Sequence, residues 1–250
     1  MRCEVLLINL DGSAARLAQA AAVLAAAGIA FQRLPAFDGR GLRPDELPLY
    51  SAAGAVRCFG RALTGGEVGC FLSHLEAVRR FLASDAEYGL VLEDDLTATA
   101  GAADLLTHVL ARLEAGAARK LWWLVNLGKP AQRMMTPLAA VNAEHGLMRA
   151  HYFPVTTTAI LWNRTGAEAF LRDANEIVMP VDHWLRQWAT LHDTGLALNP
   201  PLFPATEEGP SDIDTAGHRK KVPRGGLHFL ARQTRLWRNK LRAWRHRRQF

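Results

Sequence analysis

Residues 88–95 read Tyr88-Gly89-Leu90-Val91-Leu92-Glu93-Asp94-Asp95. The apolar run does not alternate with polar residues, which is the pattern of a strand buried on both faces. It ends on three consecutive carboxylates. In open α/β sheets, ligands gather outside the carboxyl ends of strands. Side chains at i and i+2 of an extended segment point the same way, so Glu93 and Asp95 can share one cation. A hard divalent ion suits such a pair, with phosphate and water filling the rest of its shell. The competing reading is a solvated acidic turn ahead of the next helix.

The flanks supply the rest of the fold. Upstream, Thr64-Gly65-Gly66-Glu67 matches the capping box. Behind it Val68, Phe71, Leu72, Leu75, Val78 and Leu82 recur at helical spacing. Near the start, Val5-Leu6-Leu7-Ile8 is a second buried strand. It breaks at Asn9-Leu10-Asp11-Gly12, and Ser13 can cap an alanine-rich helix that Gly28 ends. A strand over 29–34 completes a βαβ opening, and 38–62 reads as a loop with short turns. Downstream, a helix near 102–115, strands at 121–127 and 156–162, a helix at 164–174 and one opened by Asp182 and running to about His192 follow in turn. Strands alternating with helices predict an α/β fold with a mostly parallel sheet.

At 250 residues, with 49% hydrophobic and 22% charged residues, the chain has the composition of a folded globular protein. Its three cysteines, Cys3, Cys58 and Cys70, are widely spaced and form no C-x-x-C pair, so neither a disulfide framework nor a structural zinc site is expected. The net charge of +6 is divided unevenly. Residues 218–250 hold 12 Lys and Arg and no acid, whereas residues 1–217 hold 18 basic against 24 acidic residues. The expected organisation is therefore a catalytic-looking domain over 1–217 and a basic tail over 218–250. In the tail, Leu230, Thr234, Trp237, Leu241 and Trp244 form one helical stripe among arginines. Such a basic amphipathic helix suits an anionic membrane surface. Packing against the acidic body is the alternative, and nucleic acid is not expected because no recognised binding fold accompanies the charge. No stretch reads as membrane-spanning and no signal peptide opens the chain, so a cytoplasmic protein, peripherally associated with the inner face of the membrane, is expected.

The run Leu63-Thr64-Gly65-Gly66-Glu67-Val68-Gly69-Cys70-Phe71-Leu72-Ser73-His74, followed about twenty residues on by Leu92-Glu93-Asp94-Asp95, resembles glycosyltransferase family 25. Leu7-Ile8-Asn9-Leu10-Asp11 with Arg16, Ala36-Phe37-Asp38-Gly39, Gly166-Ala167, Pro180-Val181-Asp182 and Ser211-Asp212-Ile213 fall in that family's order. The resemblance covers roughly residues 3–213 and excludes the tail. It implies a GT-A-like, inverting transferase that uses a UDP-sugar, galactose by family habit, with Mn²⁺ or Mg²⁺. Its acceptor would be a bacterial lipooligosaccharide, lipopolysaccharide or related glycan. By the same resemblance, Glu93 and Asp95 are the metal ligands and Asp182 is the catalytic base. Asn9, Arg16, Ser73, His74 and Asp94 line the nucleotide-sugar site.

Several of these residues also have a plainer role open to them. Asp182 can be only a helix cap, Arg16 an exposed helix arginine, and Ser73 and His74 packing residues. Glu67 is read as structural. Asp212, Asp214 and His218 are the candidates for a third metal ligand. Trp122, Trp123, Trp184 and Trp188 are assigned to the core rather than to a sugar platform. Two other functions compete. A sugar-phosphate nucleotidyltransferase would want a glycine-rich phosphate loop, and Asn9-Leu10-Asp11-Gly12-Ser13 has a single glycine. The second, a catalytically inactive membrane-bound adaptor, has no need of the intact carboxylates.

Overall fold

The computed structural model describes residues 2–41, 43–47, 49–116, 121–130, 133–206 and 228–250. Asp212, Asp214, His218 and the Glu207-Glu208-Gly209 segment lie outside the described residues. The chain forms β1 (Cys3–Asn9), α1 (Ala14–Ala26), β2 (Gln32–Pro35), α2 (Ala52–Cys58), α3 (Gly65–Ala83), β3 (Tyr88–Glu93) and α4 (Ala102–Glu114). It continues through β4 (Leu124–Asn126), β5 (Met135–Ala140), β6 (Gly146–Ala150), β7 (Ala159–Asn163), α5 (Arg164–Asp173), α6 (Val181–His192) and β8 (Gly195–Asn199). A last helix, α7, spans His228–Gln249.

The eight strands make one sheet in the order β2-β1-β3-β7-β4-β8-β6-β5. The α/β class and the central sheet flanked by helices are as the sequence predicts. The sheet is more mixed than the strand–helix alternation implied. β1 pairs in parallel with β2 and β3, and β4 with β8, whereas β7 runs antiparallel to both β3 and β4. A β5–β6 hairpin adds two further antiparallel pairings at the far edge.

Helices cover both faces. On one, Leu7, Leu90, Leu92 and Leu161 of the sheet pack against Ala20 and Leu24 of α1 and Leu105, Leu106, Val109 and Leu110 of α4. On the other, Leu6, Val91, Ile160 and Trp162 meet Phe71, Leu75, Val78 and Phe81 of α3, Phe170 of α5, and Leu185 and Trp188 of α6. Trp123 stacks on Trp188 with ring centroids 4.6 Å apart, and Trp162 stacks on Phe170 at 5.1 Å. The tryptophans expected in the core are there: Trp123 and Trp188 are buried, and Trp122 and Trp184 pack against it; Trp162 is buried beside them.

Two features of this frame shape the site. The parallel register sets Ile8 beside Glu93, so the carboxyl ends of β1 and β3 share one edge. Antiparallel β7 then starts where β3 ends, with Leu92 opposite Ala159, which delivers Thr157 and Thr158 to the same edge. The expected loop over 38–62 contains α2, a seven-residue helix capped by Ser51 Oγ, which accepts from Gly54 N at 3.1 Å. Helix α6 begins at Val181 with Pro180 as its N-cap, so Asp182 sits in the first turn rather than capping it. No named strand leads into α6. The segment before it is irregular, tied to Tyr50 by an isolated bridge at Ile177.

Candidate active site

The acidic triplet lies between two hollows. The first, with about 720 Å³ of empty space, is lined by Asn9 and Arg16 from the β1–α1 end, Phe37 to Arg40 from the loop after β2, Gly66, Cys70 and Ser73 from α3, and the triplet itself. The second, about 690 Å³, is lined by Glu67 and Cys70, Glu93 and Asp95, the residues 155–158 ahead of β7, Pro180 to Asp182, and Ala205. Cys70, Glu93 and Asp95 belong to both.

The helix that carries the Thr64–His74 block is fixed at its start. Thr64 Oγ1 accepts from Glu67 N at 3.2 Å, and Thr64 N donates to Glu67 Oε2 at 3.0 Å, completing the capping box. Glu67 also takes both arms of the Arg61 guanidinium, at 2.6 and 2.8 Å, with both side chains buried. Such bidentate pairs are geometrically exacting, which bears out the structural reading of Glu67. Glycines set the fit of α3 against the loop after β2. A Cβ on Gly69 would lie 2.5 Å from the Phe37 carbonyl oxygen, and one on Gly39 would strike the Gly65 carbonyl. Ser73 closes the same contact: its Oγ accepts from Phe37 N at 2.8 Å and donates to Gly69 O at 2.8 Å. Its hydroxyl is thus committed to joining helix and loop, although the residue lines the first hollow.

Around the triplet, every predicted residue has a defined place. Asp94 accepts from Asn9 Nδ2 at 2.6 Å and pairs with Arg16 at 2.5 Å, and the same guanidinium stands 3.8 Å from Asp95. Asn9 is in turn held by Arg33, whose Nε donates to Asn9 Oδ1 at 3.1 Å. Glu93 Oε1 meets Thr157 Oγ1 at 2.7 Å, His74 Nε2 at 3.0 Å and Cys70 Sγ at 3.8 Å. Burial works to raise the Glu93 carboxyl, yet the hydrogen bonds from His74 and Thr157 and the Arg16 charge leave it below its ordinary value. Burial and the neighbouring Glu93 charge push Asp95 the other way, up to about 6. Asp95 Oδ1 is buried and has no hydrogen-bond partner among the described residues.

His74 is buried and lines neither hollow; it stands behind Glu93. Asp182 is brought to the second hollow, where its Oδ1 accepts from His183 N at 2.7 Å. Two participants gave no signal in the sequence. Thr157 reaches Glu93 only because β7 runs antiparallel, and Arg33 reaches Asn9 only because β2 lies beside β1.

The carboxylate-rich end of β3 is thus the partition between the two hollows. The chain belongs to glycosyltransferase family 25, whose family model, described as an LPS biosynthesis protein, matches residues 3–185. Among curated relatives, a procollagen galactosyltransferase 1 of Danio rerio is 29% identical over 192 residues, 73% of this chain and 30% of that protein. A procollagen galactosyltransferase 2 of Homo sapiens is 27% identical over 188 residues, 73% of this chain and 29% of that protein. The chain thus spans less than a third of the length of these relatives. A solved glycosyltransferase involved in glycosylation of the major capsid of PBCV-1 has a TM-score of 0.44 at 10% identity, covering 89% of this chain and all of that one.

Proposed function

We propose that this chain transfers galactose from UDP-galactose to a glycan acceptor of the lipopolysaccharide type, with inversion at the anomeric carbon and with a divalent cation. The observation that carries the reading is the pair of hollows meeting at Glu93 and Asp95, with Asp182 across the second. The donor occupies the first hollow. Arg16, placed there beside Asp94, supplies positive charge for the diphosphate. The acceptor occupies the second, where Asp182 takes the proton of the attacking hydroxyl. Family membership and the name of the relatives support galactosyl transfer.

The residues at the sheet edge fit a hard cation. Asp95 offers a buried oxygen that lacks a partner, and Glu93 is ionised and braced on one oxygen. Glu93 and Asp95 would hold Mn²⁺ or Mg²⁺, which when bound neutralises charge on the departing UDP. Asn9 and Ser73 serve the donor side indirectly in this scheme. Asn9 orients Asp94, and Ser73 fixes the loop that walls the hollow. His74 acts on Glu93 rather than on the nucleotide.

The tail gives the enzyme a surface to work at. Helix α7 packs on α2 and α6 through its small and polar face, with Asn239 and Ala243 buried. Arg235 donates to Cys58 O at 2.9 Å and lies over the Phe59 ring. The predicted stripe points the other way: Trp237, Leu241 and Trp244 are exposed, at 69%, 48% and 44%. No helix among the described residues is long and apolar enough to cross a membrane. The exposed tryptophans and surrounding arginines suit the headgroup layer of an anionic leaflet, where a lipid-linked acceptor resides.

UDP release from UDP-galactose with Mn²⁺ tests the chemistry. Wild type is active, while Asp95→Ala and Asp182→Asn lose transfer but keep their fold. Transfer by Asp182→Asn at the wild-type rate removes Asp182 as the base. Binding to anionic vesicles, retained by wild type and lost in Trp237→Ser/Leu241→Ser/Trp244→Ser, tests the surface; equal binding refutes it.

A further inference from the structure

One set of donors at this edge does not match the chemistry of a magnesium- or manganese-type site. Cys70 and His74 are one turn apart on α3, so their side chains leave the helix on the same face. Both point at the end of β3. Cys70 Sγ is 3.8 Å and His74 Nε2 3.0 Å from Glu93 Oε1, and the sulfur, nitrogen and oxygen all lie within 4.8 Å of one another. Magnesium and calcium prefer oxygen alone, whereas a thiolate, an imidazole and a carboxylate together select a softer ion. In a tetrahedral zinc site, bond lengths of about 2.3 Å to sulfur and 2.0–2.2 Å to nitrogen or oxygen put ligand atoms about 3.3–3.6 Å apart. The distances to Glu93 Oε1 depart from that range by a few tenths of an ångström, within what a side-chain adjustment supplies.

We propose that Cys70, His74 and Glu93 form a binding site for a thiophilic divalent cation, Zn²⁺ by preference, separate in its donor set from the oxygen-ligated ion at Glu93 and Asp95. The ion enters from either hollow, since Cys70 and Glu93 line both. On binding, the Cys70 S–H bond breaks and the proton leaves to solvent while the sulfur bonds the ion. The proton that His74 Nε2 directs at Glu93 in the ion-free protein shifts to Nδ1 on binding, freeing the Nε2 lone pair, and Glu93 contributes an oxygen. No electron transfer is involved. Water fills the fourth position, the arrangement of an open three-ligand zinc site.

The two kinds of ion compete through Glu93. The softer site takes Glu93 Oε1, the oxygen that faces α3, and so draws off the carboxylate charge on which the oxygen-only site depends. Zinc is therefore an inhibitor of transfer, and the Cys70 position gives the enzyme sensitivity to it. In the ion-free protein, burial together with the Glu93 and Asp182 charges raises the Cys70 thiol well above its ordinary value. The thiol is held protonated until an ion takes it.

This inference shares Glu93 with the proposed function, but its test needs no sugar and no turnover. The metal-free full-length protein is titrated with Co²⁺, a spectroscopic stand-in for zinc, and the thiolate-to-cobalt charge-transfer absorption in the near ultraviolet is followed. Wild type develops the band to saturation at one equivalent. Zn²⁺ bleaches it and a large excess of Mg²⁺ does not. Cys70→Ser abolishes the band, His74→Gln weakens Co²⁺ binding at least about tenfold, and Cys58→Ser leaves the band intact. Absence of the band in wild type overturns the proposal without recourse to any variant, as does its survival in Cys70→Ser. A protein that shows the band yet releases no UDP keeps this site and loses the transferase assignment; the converse result does the reverse.

Discussion

Replacing Gly69 with alanine separates what the glycine does for the helix from what it does for the first hollow. In isolation the change favours α3, because alanine exceeds glycine in helix propensity by about 1 kcal/mol. The new Cβ, however, would sit 2.5 Å from the Phe37 carbonyl oxygen and 2.9 Å from Gly39 N, where 3.4 Å is ordinary contact. Helix and loop must part by about 0.9 Å, since both colliding groups are backbone and neither can rotate away. Overpacking of this kind costs about 1–3 kcal/mol, so the net loss of stability is only about 0–2 kcal/mol. The displacement falls on Phe37 to Arg40, which wall the hollow assigned to the donor. A misplacement near 1 Å in a positioning element costs up to about a hundredfold in rate. Isothermal titration with UDP and Mn²⁺, galactosyl-transfer kinetics and urea denaturation are run on Gly69→Ala. Gly146→Ala, whose Cβ would meet nothing nearer than 3.8 Å, is the control. The expected result is a stability within about 2 kcal/mol of wild type, with UDP affinity and kcat/KM lowered ten- to a hundredfold. UDP affinity and turnover within twofold of the control would refute the argument that this close approach shapes the donor wall.

Three further outcomes follow from the same structure. Glu67→Ala leaves Arg61 charged and buried, and should cost about 3–5 kcal/mol in urea denaturation; a loss under about 1 kcal/mol would mean the pair is not buried as described. With Ellman's reagent at pH 8, native protein should show one fast thiol, Cys58, because burial pushes Cys3 up to about 12 and Cys70 is likewise raised; two or three fast thiols contradict this. Asp95 binds its proton more tightly folded, at about 6, than unfolded, at its ordinary 3.8. Its contribution to stability is full below that lower value and is lost as pH rises through about 6. A divalent cation offsets the loss, so Mn²⁺ should raise Tm more at pH 7.5 than at pH 5, and an equal rise at both would contradict the assignment.

The parts of the fold written in local chemistry were legible in advance. The Thr64–Glu67 box, the apolar face of α3 and the strand into the triplet depend on residues a few positions apart, and all three are present. The β5–β6 hairpin escaped notice because Met135–Ala140 is half-exposed, interrupted by Pro137, and lacks alternation. The seven-residue α2 is too short for a helical period to emerge. Non-local contacts were beyond a linear reading: the sequence offers Glu93 and Thr157 as separate residues, and only the reversed β7 joins them. The tail follows a different pattern, with the stripe left outward as the membrane-surface reading expects. An apolar stripe normally marks the buried side of a helix, yet α7 docks by Asn239, Ala243 and the cation–π contact of Arg235 with Phe59, leaving its tryptophans outward.

The wall common to the two hollows, built of Cys70, Glu93 and Asp95, has a thermodynamic consequence. An occupant of one hollow that shifts the charge or setting of these shared side chains is felt in the other, and the resulting linkage is reciprocal. If the donor tightens acceptor binding by some factor, the acceptor tightens donor binding by that same factor. In the proposed reaction, departure of the nucleotide would return the second hollow to its weaker affinity. In that reaction one shared partition would couple loading to emptying.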